Sequence, residues 1–138
     1  MAQFILKDLK VGDDIPAIIL PPVSRKTLAL FAGASGDHNP IHIDIDYAQA
    51  AGMKDVFGHG MLGMAYMSRL LTDIVPAENI RDFNARFVRI MQLYDVLTCQ
   101  GTVIEELNKN DENCLRLELA VKTKEGETVL SGSALVAI

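Results

Sequence analysis

Gly58-His59-Gly60-Met61-Leu62-Gly63-Met64-Ala65-Tyr66-Met67-Ser68-Arg69-Leu70-Leu71 is the stretch on which the fold turns. Met61, Leu62, Met64, Ala65, Leu70 and Leu71 return at spacings of three and four, nearly all round the helix they would form. A helix that is apolar on most sides is buried on most sides. Its polar positions are few: Ser68, Arg69, Thr72 and Asp73.

Downstream of Pro76 the period changes to two, and residues 80–91, 96–107, 114–123 and 128–137 are strand candidates. Leu115, Leu117, Leu119 and Val121 alternate with Arg116, Glu118, Ala120 and Lys122. The turn Asn108–Asn113 predicts one hairpin and Lys124–Glu127 another. Upstream, residues 14–20 read as an extended segment closed by Pro21-Pro22. Ser24 is a candidate N-cap for a short helix through Thr27, Leu28, Leu30 and Phe31, with Gly33 and Gly36 ending it. Asp46 is read as capping a single turn, Tyr47–Ala51, stopped by Gly52. One long buried helix with roughly five antiparallel strands is an α+β pattern, and a curved sheet wrapped around the helix satisfies it. The 138 residues fit one domain, 1–138.

Composition narrows the function. Thirteen basic against 18 acidic residues leave a net charge of −5, with no Lys/Arg run, which disfavours nucleic acid and anionic membranes as partners. No apolar run approaches the roughly 18 residues a bilayer span needs. The first ten residues break their apolar stretch with Lys7 and Asp8, unlike a secretory leader. Cys99 and Cys114 lie outside any CxxC pair and are expected to be reduced, so the expected location is the cytoplasm.

The candidate chemistry is concentrated in Ser35-Gly36-Asp37-His38-Asn39-Pro40-Ile41-His42. Pro40 forbids a continuous helix and pushes Asn39 from helical angles, so Asp37 and His42 flank a tight turn. Two readings stand here. One is a surface turn in which Asp and Asn satisfy backbone donors. The other is a carboxylate–imidazole pair around a bound water, since His moves protons near neutral pH. A second feature is Gly58-His59-Gly60-Met61 at the start of the buried helix. Helix N-termini present unpaired N–H groups, and glycine allows close approach, which together suit a carbonyl oxygen. The plainer reading is helix-start punctuation with His59 as a packed histidine.

Three rival constellations fail on chemistry. Pro40 breaks the helix that would bring His38 and His42 to one metal. Asp44 and Asp46 lack the glycine and terminal glutamate of a calcium loop. Ser35 in Gly-Ala-Ser-Gly is not a nucleophile elbow. No metal site is expected.

Asp37-His38-Asn39-Pro40-Ile41-His42, followed after five residues by Ala48, resembles the signature of the MaoC-like hydratases, which include the (R)-specific enoyl-CoA hydratases. Tyr47-Ala48, His59-Gly60-Met61-Leu62 and Arg86-Phe87-Val88 are similar as well. The chain departs from the family at Arg89–Asp95, where a Pro-Val-x-Pro-Gly-Asp-like stretch is common, and at Ala34, where a branched residue often stands.

The resemblance implies a hotdog fold, a curved antiparallel sheet around a long central helix. It implies that Asp37 and His42 are the catalytic acid–base pair, with the Gly60 N–H as donor to the thioester carbonyl. It further implies that Asn39 braces the loop and that Ser68 and His59 line the site. The implied reaction is (R)-specific hydration of trans-2-enoyl-CoA to (3R)-3-hydroxyacyl-CoA, and its reverse, in fatty acyl metabolism. No cofactor is implied beyond the CoA thioester that carries the substrate. A homodimer is implied, with the acyl tunnel near the subunit boundary; Lys54, Arg86 and Arg89 are candidate cations for CoA. The alternatives are a non-catalytic or heteromeric hotdog subunit and a 3-hydroxyacyl-carrier-protein dehydratase. A hotdog thioesterase would want a nucleophile or carboxylate on the central helix, and residues 61–71 offer no carboxylate.

Overall fold

The computed structural model describes residues 6–138. The first five, which open the stretch weighed above as a leader, lie outside the described residues. In chain order the elements are β1 (Asp14–Ile19), α1 (Arg25–Ser35), α2 (Ile45–Ala50), α3 (Gly60–Thr72), β2 (Ile80–Phe87), β3 (Leu97–Lys109), β4 (Glu112–Thr123) and β5 (Thr128–Ala137). The strands form one antiparallel sheet in the order β1-β3-β4-β5-β2. This is the hotdog arrangement: a curved sheet with α3 as its central helix.

The register explains the curvature. Each strand pairing carries one shift: between Ile15 and Ile18, Ile80 and Asp82, Val103 and Glu105, and Val121 and Lys122. Bulges of this kind bend and twist a strand, and repeated across a sheet they wrap it. The concave face takes Leu97, Cys99 and Val103 from β3 and Leu115, Leu117, Leu119 and Val121 from β4. Leu62, Met67, Leu70 and Leu71 of α3 belong to the same buried cluster. Burying each such side chain contributes about 1.5–3 kcal/mol. Gly63 sets how closely α3 approaches: a Cβ there would stand 2.6 Å from a methyl of Leu130 on β5.

Several local expectations are revised. Residues 88–91 are not strand, because the N–H groups of Val88 and Arg89 both turn to the carbonyl of Val129. The hairpin between β3 and β4 turns at two residues rather than six. Asn110 and Asp111 take left-handed φ values of 51° and 63°, so Lys109 still pairs with Glu112. That primed turn matches the twist of the strands it joins. Asp44, not Asp46, caps α2: its carboxylate accepts the N–H groups of Asp46 at 3.0 Å and Tyr47 at 3.2 Å. Ser24 caps α1 by accepting the N–H of Thr27 at 3.1 Å. Gly33 lies inside α1, and Gly36 alone ends it in the left-handed region at φ 75°. No helix among the described residues is long and apolar enough to cross a membrane.

Candidate active site

Two segments build the site: residues 36–42, which leave α1, and residues 57–60, which enter α3. In the first, the turn fixes its own backbone. Asp37 Oδ1 accepts the N–H of Asn39 at 3.3 Å, and Asn39 Oδ1 accepts the N–H of Ile41 at 3.1 Å. Asn39 thereby caps the short 3-10 turn Pro40–His42, with Pro40 at its first position where a missing N–H costs nothing. Asn39 braces the loop through its own amide rather than by lining a cavity.

The turn sends the two titratable side chains to one place. His42 is buried and Asp37 half-exposed, with Nε2 and Oδ2 separated by 4.0 Å. That is too long for a direct hydrogen bond and short enough for one water to touch both. His42 Nδ1 lies 2.7 Å from the carbonyl oxygen of Phe57. A carbonyl only accepts, so Nδ1 carries the proton and Nε2 presents its lone pair toward Asp37 when the ring is neutral.

His59 completes the cluster. It is 1% exposed, stacks on His42 with ring centroids 3.9 Å apart and meets the edge of Phe31 at 5.0 Å. Its Nε2 donates to the carbonyl of Asp37 at 3.1 Å. Burial, and then the neighbouring His42, push its pKa below the ordinary histidine value. Asp37, His42 and His59 bring possible ligand atoms within 4.8 Å of one another. The two imidazole planes lie 27° from parallel, and one nitrogen of each ring is hydrogen-bonded to a backbone carbonyl.

Gly60 is the first residue of α3, where the backbone N–H has no intrahelical acceptor. A Cβ on Gly60 would lie 3.0 Å from the ring of Phe87, a contact that the half-exposed ring could meet only by shifting. Beside Asp37 opens a mainly apolar cavity of about 440 Å³. Phe31, Met61, Met64, Ala65 and Phe83 form its apolar wall, and Asp37, Ser35 and Ser68 its polar edge. Ser68 donates its hydroxyl to the carbonyl of Ala65 at 2.8 Å.

Of the six residues singled out from sequence, Asp37 and Ser68 line this cavity. His42 adjoins Asp37, and Gly60 starts the helix that forms one wall. His59 does not line it, because the His42 ring and Phe31 cover its faces. Among the candidate CoA cations, Arg89 is already engaged: it reaches Asp95 and Glu127, each at 3.1 Å. Lys54 and Arg86 make no ion pair among the described residues.

Sequence reading missed Phe57, whose contribution is a backbone carbonyl and so leaves no signature in residue type. It also missed Met61, Met64 and Ala65 as a wall, although with Ser68 they recur at the three-and-four spacing of one helix face. Tyr94 stands in the stretch that departs from the family, with φ 68° in the left-handed region. The turn holds because Tyr94 N–H donates to the carbonyl of Val23 at 2.8 Å and Asp95 accepts the N–H of Gln92 at 2.9 Å.

Residues 10–125 match the family model described as the MaoC like domain. The (R)-specific enoyl-CoA hydratase of Rhodospirillum rubrum is 29% identical over 134 residues, covering 96% of this chain and 90% of that relative. The unliganded R-hydratase PhaJ1 from Pseudomonas aeruginosa superposes with a TM-score of 0.82 at 31% identity, over 95% of this chain and 83% of that one. A chain in the ChsH1-ChsH2 complex from Mycobacterium tuberculosis gives a TM-score of 0.79 at 22% identity, over 94% of this chain and 98% of that one, a likeness of fold.

Proposed function

This chain belongs to the MaoC-like domain family, and from that premise we propose that it is an (R)-specific hydratase of trans-2-enoyl-CoA, running also as a 3-hydroxyacyl-CoA dehydratase. The observation that carries the reading is the 4.0 Å gap between Asp37 Oδ2 and His42 Nε2 at the edge of an apolar cavity. A water in that gap is hydrogen-bonded from two sides. The cavity beside it offers the acyl chain a dry wall.

The chemistry follows from where charge develops. The water oxygen bonds to Cβ of the enoyl thioester, and the π electrons of the Cα–Cβ bond move toward the thioester carbonyl. The Gly60 N–H at the positive end of α3 stabilises the oxygen that gains charge; such donors contribute about 3 kcal/mol each. His42 Nε2 takes a proton from the water, and Asp37 supports the resulting imidazolium. The pair returns a proton to Cα, so that H and OH are added across the double bond. The Phe57 carbonyl keeps the accepting nitrogen of His42 pointed at the water. The thioester itself acidifies Cα, so the reaction draws on no cofactor.

A homodimer fits the same reading. β2 lies at one edge of the sheet and is followed by the exposed apolar side chains Val88 and Ile90, while half-exposed Phe87 lies against Gly60. A second copy at this edge would cover unpaired strand and apolar surface together.

The test is a panel of trans-2-enoyl-CoA thioesters from four carbons upward, followed by loss of enoyl absorbance, with the product's configuration determined. Formation of (3R)-3-hydroxyacyl-CoA is expected. Free thiol release would instead indicate a thioesterase, and silence across the panel would overturn the hydratase reading.

A further inference from the structure

Two histidines cross between the segments that build the site. His42, from the turn after α1, donates to the carbonyl of Phe57 in the segment that enters α3. His59, from that second segment, donates back to the carbonyl of Asp37 in the first. Between these two bonds the rings lie face to face, 3.9 Å apart and 27° from parallel.

His59 occupies this position at a cost. Its Nδ1 is buried without a hydrogen-bond partner among the described residues. An unsatisfied buried polar atom is destabilising, and an apolar side chain of similar shape would avoid that penalty. What an apolar residue could not supply is the Nε2–H that reaches Asp37. Against His59 lie the ring of Phe31 from α1, and Asp37 and His42 from the turn. Burial and His42 disfavour its charged form, while the Asp37 carbonyl bond and carboxylate favour it, and the net shift is downward.

Building on the hydratase reading above, we propose that His59 is a positioning residue. As the neutral Nε2–H tautomer it clasps the Asp37 turn to the start of α3 and holds the face of the His42 ring. It is not among the residues that line the cavity. Its effect is to fix the Asp37–His42 separation, since both partners of that gap rest on it: Asp37 through its carbonyl, His42 through its ring.

Two substitutions separate this role from simple packing. In His59→Gln the amide nitrogen reaches about as far as Nε2 and can still donate to Asp37. In His59→Asn the amide reaches only as far as Nδ1 and cannot. His59→Asn is expected to lower kcat about 10- to 100-fold, as a small misplacement of reacting groups does, with KM within about twofold. His59→Gln is expected to recover most of kcat. Wild-type turnover in His59→Asn, equal loss in both variants, or a loss carried by KM overturns the proposal.

Imidazole ¹⁵N resonances of the wild-type chain give a readout that needs neither activity nor a folded variant. His59 is expected to be the neutral Nε2–H tautomer at pH 7; an imidazolium or an Nδ1–H tautomer overturns the clasp. If the wild-type chain hydrates no enoyl thioester while His59 shows the expected tautomer, the hydratase reading fails and the clasp stands.

Discussion

Asp37 Oδ2 faces His42 Nε2 across 4.0 Å, with the imidazole anchored from behind by the carbonyl of Phe57. One group is buried and held, the other half-exposed at the cavity edge. A water between them would meet a lone pair on each side.

From that relationship, Asp37→Asn and His42→Ala should each lower kcat by at least about 100-fold, the lower end for a positioned acid–base group. Because both act on one water, the double variant should be little worse than the poorer single one. His38→Ala is the control, since His38 is exposed and is not part of the Asp37–His42–His59 cluster. Steady-state kinetics on an enoyl-CoA check it. A crippled His38→Ala beside an active His42→Ala would refute the pairing.

Two glycines give opposite expectations. At Gly60 a methyl would meet Phe87 at 3.0 Å, whereas at Gly33, inside α1, a methyl would meet nothing within 4 Å. Gly60→Ala should therefore lower kcat by roughly 10-fold or more by disturbing the geometry at the α3 N-terminus. Gly33→Ala should raise stability by up to about 1 kcal/mol with activity intact, because alanine is the better helix former. Denaturant melts and kinetics on the two variants check the contrast.

Assembly is testable by light scattering. The wild-type chain should run at about 30 kDa, twice its 15.1 kDa mass. Val88→Glu places a charge beside the β2 edge and should shift the population toward monomer. A fully active wild-type monomer would remove the dimer from the proposal.

Cys99 predicts a pH effect on stability. Burial pushes its thiol from 9.0 up to about 11. In the unfolded chain the thiol ionises near its ordinary value, while the folded chain keeps its proton. The stability this group contributes is thus fully present below about pH 9 and is lost as pH rises toward 11. Tyr66, also raised by burial, adds to the same trend. Cys99→Val should flatten the slope in that window, measured by urea melts at successive pH values, and Cys99 should resist thiol reagents near pH 8 in the folded protein.

Much of this was legible in residue order. The recurrence from Met61 to Leu71 marks a helix buried on most sides, and the alternation from Leu115 to Val121 marks a strand with one face inward; both periods are local properties of the chain. Ser24 and Gly36 likewise mark the ends of α1 through local hydrogen bonding and backbone freedom. Pro40 between Asp37 and His42 implies a turn for the same reason. Boundaries were less legible where two neighbours could do one job. Asp44 and Asp46 are both of a residue type that caps helices, and α2 starts at Ile45, which leaves Asp44 as the cap.

What only the tertiary structure decided are the relations between segments distant in sequence. The Phe57 carbonyl that orients His42 belongs to the backbone, and any residue there would carry it. The stacking of His59 on His42 and its bond to Asp37 depend on how α1 and α3 pack, which no spacing within either segment encodes. Arg89 reads as an available cation until the fold brings Asp95 and Glu127 to it. Local pattern fixes which faces must be buried and where the chain can turn, because those depend on a few adjacent dihedrals. The site's distances depend on the closure of the whole sheet around α3, and so appear only once every element is in place.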